Sequence, residues 1–158
     1  MRLAIIGGGN MGGAILLALL KSADVPPEDI LLIESDGEKR QKLGNATGCN
    51  IQAEIDEAVR SYDLVLLAVK PQSSSAVMEL LAQWLLPEHV VVSVMAGISL
   101  QTMRRALGQT KLVRVMPNIP ALIGEGMSVF FASNEVGIEV REWAVSYTHL
   151  TLPTILLV

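Results

Sequence analysis

The residues most able to do chemistry in this chain are glycines near its start. Gly7, Gly9 and Gly12 fill the spacing G-x-G-x-x-G directly after an apolar run at residues 3–6. In that pattern the first glycine permits a tight turn, the second lets backbone approach a phosphate, and the third lets a helix pack on a strand. The predicted chemistry is therefore the binding of a dinucleotide pyrophosphate by backbone N–H groups.

A purely structural turn is the alternative, because glycine-rich turns also occur where a chain simply reverses between a buried strand and a helix. The apolar run at residues 14–20 follows without a helix breaker, which favours a helix that begins at the glycines. The unpaired N–H groups and positive dipole end of that helix would face an anion. We therefore expect a phosphate-binding turn made of Ile6, Gly7, Gly8, Gly9, Asn10, Met11 and Gly12.

The elements that must position this turn follow from an alternation along the chain. Helix-length segments separate most of five apolar runs, which we predict to be strands: residues 3–6, 30–33, 64–68, 90–94 and 112–115. Buried strands that alternate with helices predict βαβ units. The predicted fold class is therefore α/β, a Rossmann-like, doubly wound and mainly parallel sheet.

Composition narrows the possible partners. The 158-residue chain carries a net charge of −4 with its basic residues scattered singly, which argues against nucleic-acid and anionic membrane partners. Mean hydropathy is +0.45, yet charged residues interrupt the apolar stretches before they reach membrane-spanning length. The single cysteine excludes an internal disulfide framework, and no segment like a signal peptide precedes the first run. We expect a cytoplasmic protein without a metal site.

Ligands of parallel sheets lie outside the carboxyl ends of the strands, so the residues just after each run are site candidates. Besides the glycines, these candidates are small, polar or backbone-exposing: Glu34, Ser35, Lys70, Pro71, Ala96, Gly97 and Asn118. The amide of Asn118 is suited to grip a nicotinamide. Lys70 is either an electrostatic partner of the cofactor or a solvated residue before a helix.

Glu34 leaves the choice of coenzyme open. An acid at the end of the second strand can accept bonds from the adenosine ribose and repel a 2′-phosphate, which favours NADH. Against this, Ser35, Lys39 and Arg40 could neutralise a 2′-phosphate, and an acid at a strand end is often only solvated or a cap. Both NADP(H) and NAD(H) therefore stay as candidate cofactors.

Four separated motifs resemble the N-terminal half of pyrroline-5-carboxylate reductase in their order and spacing: residues 6–12, 68–71, 93–98 and 114–121. The stretch Met116-Pro117-Asn118 is the most specific of them. The resemblance implies NAD(P)H-dependent reduction of a small cyclic imine, 1-pyrroline-5-carboxylate, to L-proline. It also implies that Ala68, Val69, Lys70 and Pro71 line the ribose and nicotinamide side of the cofactor, and that Ala96, Gly97 and Asn118 border the nicotinamide.

The resemblance covers residues 1 to about 144. In the family a helical domain follows, which forms the dimer and builds the substrate pocket, so we interpret residues 1–144 as an NAD(P)-binding domain truncated in its last helix. No catalytic residue can be nominated, and the intact protein is expected to be a homo-oligomer through the missing domain. Residues 145–158 resemble a translated sequencing-library adapter and are interpreted as a non-native tail; a genuine edge strand is the alternative.

Three other interpretations stay open: a non-catalytic nucleotide-binding fragment, a related reductase that acts on a hydroxy acid or another imine, and a purely structural domain. The remaining reactive side chains are predicted to be structural. Cys49 has no neighbouring His or second Cys and is expected to be a buried thiol. His89 is expected to lie in a solvated turn before the fourth strand.

Overall fold

All five apolar runs form strands in the computed structural model, which describes residues 1–22, 25–109, 111–117 and 128–141. Four of these strands are buried at every position, which is the pattern of parallel strands covered on both faces. The five strands are β1 (Leu3–Ile6), β2 (Ile30–Ile33), β4 (Leu64–Leu67), β5 (Val90–Ser93) and β6 (Leu112–Pro117).

Two further strands, β3 (Asn50–Gln52) and β7 (Ser128–Ala132), were not predicted from the sequence. β3 is short and largely polar, and it pairs in parallel with β2. β7 pairs antiparallel with β6. The result is one seven-stranded sheet in the order β3-β2-β1-β4-β5-β6-β7. The predicted doubly wound, mainly parallel α/β fold is confirmed.

Within the described ranges, four α-helices lie between strands: α1 (Asn10–Ser22), α2 (Gly37–Thr47), α3 (Ser74–Ala82) and α4 (Leu100–Leu107). Local signals set the bounds of α2. The Asp36 carboxylate caps α2 by accepting from the N–H groups of Glu38 and Lys39, and Gly48 ends the helix in the left-handed region at φ +67°. No helix in the described ranges is both long enough and apolar enough to cross a membrane.

The core consists of two apolar layers, one on each face of the sheet. On one face Ile5 and Leu32 pack with Leu16 and Leu19 of α1. On the other face Val65 and Leu67 pack with side chains of α3 and α4, among them Met78, Leu81, Met103 and Leu107. Because β1 to β6 run parallel, their carboxyl ends and the loops that follow them share one edge of the sheet.

His89 is buried at the amino end of β5, so the expectation of a solvated turn was wrong. Its side chain is 2% exposed, and Nδ1 accepts a hydrogen bond of 3.0 Å from the backbone N–H of Leu86. Burial lowers the pKa of His89, and this effect outweighs the opposing influence of the Arg60 backbone and of nearby carboxylates. His89 is therefore neutral in the folded protein near neutral pH.

We expect the fold to lose stability as the pH falls below the ordinary histidine pKa of 6.5. The unfolded chain takes up a proton on His89 near that pH, whereas the folded chain stays neutral until lower pH. The unfolded state thus binds more protons in this window, and the free energy of unfolding decreases as the pH falls through it. Denaturant unfolding at several pH values measures the slope. His89→Asn keeps an acceptor for Leu86 without titrating, so an unchanged slope in that variant would contradict the assignment.

Candidate dinucleotide site

The carboxyl ends of the parallel strands place the predicted turn beside the segment that follows β4. Strand order reverses between β1 and β4, which is where doubly wound sheets open a crevice for ligands. Backbone hydrogen bonds extend beyond the strands here: Gly7 N–H donates to Ile33 O at 2.8 Å, and Ala68 N–H donates to Ile6 O at 2.9 Å. The turn is therefore held from both neighbouring strands.

Gly7 and Gly12 are glycines because the protein itself leaves no room for a side chain. Gly7 has φ +104°, and a Cβ atom added there would lie 2.8 Å from the Ala68 carbonyl oxygen. A Cβ atom added to Gly12 would collide with the carbonyl oxygen of Gly7. These two glycines are thus required by the packing of α1 on β1 and β4, whether or not a ligand binds.

Gly9 differs, because nothing in the described protein requires a glycine there. Its φ lies outside the left-handed region, and an added Cβ atom would meet no atom within 4 Å. Among the described residues no acceptor lies within hydrogen-bond distance of its N–H. The open space above Gly9 therefore fits a group from outside the chain that must come close to the backbone, as a pyrophosphate does.

The start of α1 would also attract a negatively charged group at this position. The helix begins at Asn10, and its first turn contains no acidic residue. Gly13 N–H donates to Gly9 O at 2.8 Å, so the regular helical bonds begin one turn in, and the first N–H groups of the helix lack helical acceptors. An anion above Gly9 would face these N–H groups and the positive end of the helix.

Glu34 lies directly beneath the turn. Its Oε2 accepts a hydrogen bond of 2.7 Å from the N–H of Gly8, and its Oε1 accepts one of 2.9 Å from the N–H of Asp36. Glu34 is only 8% exposed. The contact between Glu34 and Gly8 joins the end of β2 to the turn across 26 residues of sequence.

Arg40 lies across the same strand end. Its Nη1 donates to the carbonyl oxygens of Glu34 at 2.9 Å and of Ser35 at 2.7 Å. Beside it the carboxyl of Asp36 is exposed, and the bond from the Lys39 backbone N–H contributes most to lowering its pKa. The sequence named Arg40 only as an alternative, since the hydrogen bonds that fix its position come from backbone carbonyls, which a sequence pattern does not reveal.

The other predicted residues occupy the same edge of the sheet. Ala68 and Val69 are half-buried, and a Cβ atom added at Gly7 would lie 3.0 Å from Val69 Cγ1. Lys70 and Pro71 are exposed where β4 has ended, and so are Ala96 and Gly97 beyond β5.

Four predictions made from the sequence need comment. Ile6 is buried, so only its backbone faces the site. Gly97 has φ +75°, which favours glycine for conformation alone. Asn118 and the tail at residues 145–158 lie outside the described residues. No group of three metal-ligating side chains occurs in the described ranges.

Comparison with known proteins identifies a matching family and similar proteins. A family model described as "NADP oxidoreductase coenzyme F420-dependent" matches residues 2–97. The pyrroline-5-carboxylate reductase of Haemophilus influenzae is 38% identical over 143 residues, which are 90% of this chain and 52% of that relative. The resemblance seen in the four sequence motifs is thus confirmed.

Solved structures agree in fold. A pyrroline-5-carboxylate reductase from Coxiella burnetii superposes with a TM-score of 0.91 at 26% identity, over 99% of this chain and 58% of that one. The pyrroline carboxylate reductase of Plasmodium falciparum, solved with NADP bound, has a TM-score of 0.82 at 22% identity, over 98% and 57% of the two chains. The chain spans about half the length of the curated relatives it matches.

Proposed function

The chain belongs to the family described as "NADP oxidoreductase coenzyme F420-dependent". From its similarity to the named relatives we propose that it supplies the cofactor-binding part of a pyrroline-5-carboxylate reductase. In the proposed reaction NAD(P)H, when bound, supplies a hydride to the imine carbon of 1-pyrroline-5-carboxylate. The imine nitrogen takes up a proton, and the products are L-proline and NAD(P)+. The observation that carries the proposed coenzyme site is the open space above Gly9, where the fold itself does not require a glycine.

The chain's own part in this reaction is to bind and orient the coenzyme. The backbone of Gly9 and the start of α1 would hold the pyrophosphate, and the segments at 68–71 and 96–97 would border the ribose and the nicotinamide. The exposed ammonium of Lys70 would act electrostatically on the coenzyme. Hydride transfer requires the imine carbon within roughly 3–3.5 Å of the nicotinamide, so holding the two groups in place supplies most of the catalysis.

The remaining parts of the proposal concern the intact protein. The intact protein reduces a small cyclic imine and forms a homo-oligomer in the cytoplasm. The names of the relatives support the imine substrate, and each relative is about twice as long as the region it shares with this chain. The substrate pocket is accordingly assigned to residues that the relatives carry beyond that region.

A fusion protein tests the activity. Residues 1–141 joined to the C-terminal half of the Haemophilus influenzae relative are expected to oxidise NADPH or NADH when 1-pyrroline-5-carboxylate is added. The loss of absorbance at 340 nm measures the rate, and the same fusion with Gly9→Val is the control without a coenzyme site. A folded fusion that binds coenzyme but leaves this imine unreduced would overturn the proposal that this chain supplies the cofactor-binding part of such a reductase.

A further inference from the structure

Two oppositely charged residues, Glu34 and Arg40, lie together where β2 ends. The geometry points to a division of roles between them: Glu34 positions the glycine turn, and Arg40 receives the 2′-phosphate of NADPH. This inference rests on the proposed dinucleotide site and names the coenzyme that the site prefers.

The carboxylate of Glu34 already accepts hydrogen bonds from within the protein. Each of its oxygens accepts a backbone N–H, from Gly8 at 2.7 Å and from Asp36 at 2.9 Å, and hydrogen bonds to an ionised acceptor are the stronger kind. An acid that selects NADH must instead present its oxygens to the ribose hydroxyls outside the protein. The carboxylate of Glu34 points into the protein, so its charge stabilises the glycine turn.

Close packing at the turn supports this role. A Cβ atom added at Gly8 would lie 3.2 Å from Oε2 of Glu34 and 2.9 Å from a methyl group of Leu43. Gly8 therefore sits directly on the carboxylate. Holding the N–H of Gly8 toward Glu34 fixes the orientation of the next peptide, and that peptide carries the free N–H of Gly9. Glu34 is thus a positioning residue for the pyrophosphate site.

Arg40 is fixed at the same strand end with donors to spare. Nη1 is held by the carbonyl oxygens of Glu34 and Ser35, and in the described part of the chain no acceptor is within hydrogen-bond distance of Nη2 or Nε. A guanidinium whose Nη2 and Nε nitrogens are both free to donate matches the geometry of a phosphate. The exposed acid Asp36, four residues before Arg40, is engaged with the start of α2 and with the Lys39 ammonium at 3.6 Å.

Calorimetric titration of the full chain with NADPH and, separately, with NADH tests the role of Arg40. The wild type is expected to bind NADPH at least about tenfold more tightly, which corresponds to one or two charged hydrogen bonds to the 2′-phosphate. In Arg40→Gln the affinity for NADPH falls about tenfold and that for NADH by less than about threefold. Lys42→Gln is the matched control, because it removes the same charge from an exposed position on the same helix.

The same titrations test the role of Glu34. In Glu34→Gln both coenzymes are expected to bind more weakly by a similar factor, so their affinity ratio stays that of the wild type. Hydrogen exchange of the Gly8 amide accelerates, while the amides of β1 keep their protection. Glu34→Asp keeps the charge but shortens its reach, and it is expected to preserve the ratio as well. If Glu34→Gln does not fold, the ratio of NADPH to NADH affinity in Glu34→Asp tests the role of Glu34 instead.

Two patterns would overturn the inference while leaving the proposed function in place. In one, Glu34→Gln or Glu34→Asp tightens NADPH and weakens NADH, so that Glu34 faces the ribose. In the other, Arg40→Gln leaves NADPH binding unchanged. A folded wild type that binds neither coenzyme would instead overturn the proposed function itself, and this inference with it.

Discussion

Gly9→Val abolishes detectable coenzyme binding and leaves the stability of the fold nearly unchanged. The valine side chain projects into space that is empty of protein atoms within 4 Å, so it strains nothing in the chain. In the proposed site that space is where the pyrophosphate approaches the backbone, and the added methyl groups keep it away. We expect the dissociation constant to rise by about a hundredfold or more, equivalent to about 3 kcal/mol. Calorimetric titration with NADPH measures it.

A second glycine provides the control for this experiment. Gly137 also has open space around an added Cβ atom, but it follows β7 and lies away from the glycine turn. Gly137→Val should therefore leave coenzyme binding intact. If Gly9→Val binds NADPH as tightly as the wild type does, the open space above Gly9 is not the pyrophosphate site.

Gly12→Ala destabilises the fold even though it adds a single methyl group. The new Cβ atom would collide with the carbonyl oxygen of Gly7 and lie 3.1 Å from the Cβ of Ala68. The backbone at Gly7 or helix α1 itself would have to move, so α1 could no longer pack as closely against the turn that follows β1. We expect a loss of about 3 kcal/mol, at the upper end of the range for overpacked cores. Urea unfolding, followed by circular dichroism, measures the difference.

The next residue along the same helix is the matched control. Gly13 is also buried, but an added Cβ atom would lie 3.4 Å from the nearest atom, the carbonyl oxygen of Gly8. Gly13→Ala should therefore stabilise the protein by about 0.5–1 kcal/mol, because alanine has the higher helix propensity. Equal stabilities of the two variants would show that the close approach of α1 to the turn is not what Gly12 permits.

The sequence by itself determined the strands that carry the site. A parallel strand covered on both faces must be apolar at nearly every position, so the runs in β1, β2, β4 and β5 could be recognised without any tertiary information. The spacing of the glycines likewise placed the turn at the carboxyl end of β1. Both signals are local, since each depends on residues within one strand and the turn that follows it.

Strands at the margins of the sheet could not be found in this way. β3 has three residues, Asn50, Ile51 and Gln52, and only the partner edge of β2 makes this short, mostly polar segment a strand. His89 shows the same dependence on distant residues. A histidine between a proline-containing turn and a strand is usually solvated, but here the surrounding elements close over it, and Leu86 N–H satisfies its ring nitrogen.

The tertiary structure also decided how each residue of the candidate site is held. In the sequence Gly7, Gly9 and Gly12 are equivalent members of one motif, whereas in the fold two of them are enclosed by backbone atoms and Gly9 alone faces open space. The hydrogen bond between Glu34 and the N–H of Gly8, which are 26 residues apart in sequence, is likewise visible only in the fold. Local patterns determine which segments are buried, and packing between distant segments determines where the remaining space and the free hydrogen-bond donors lie.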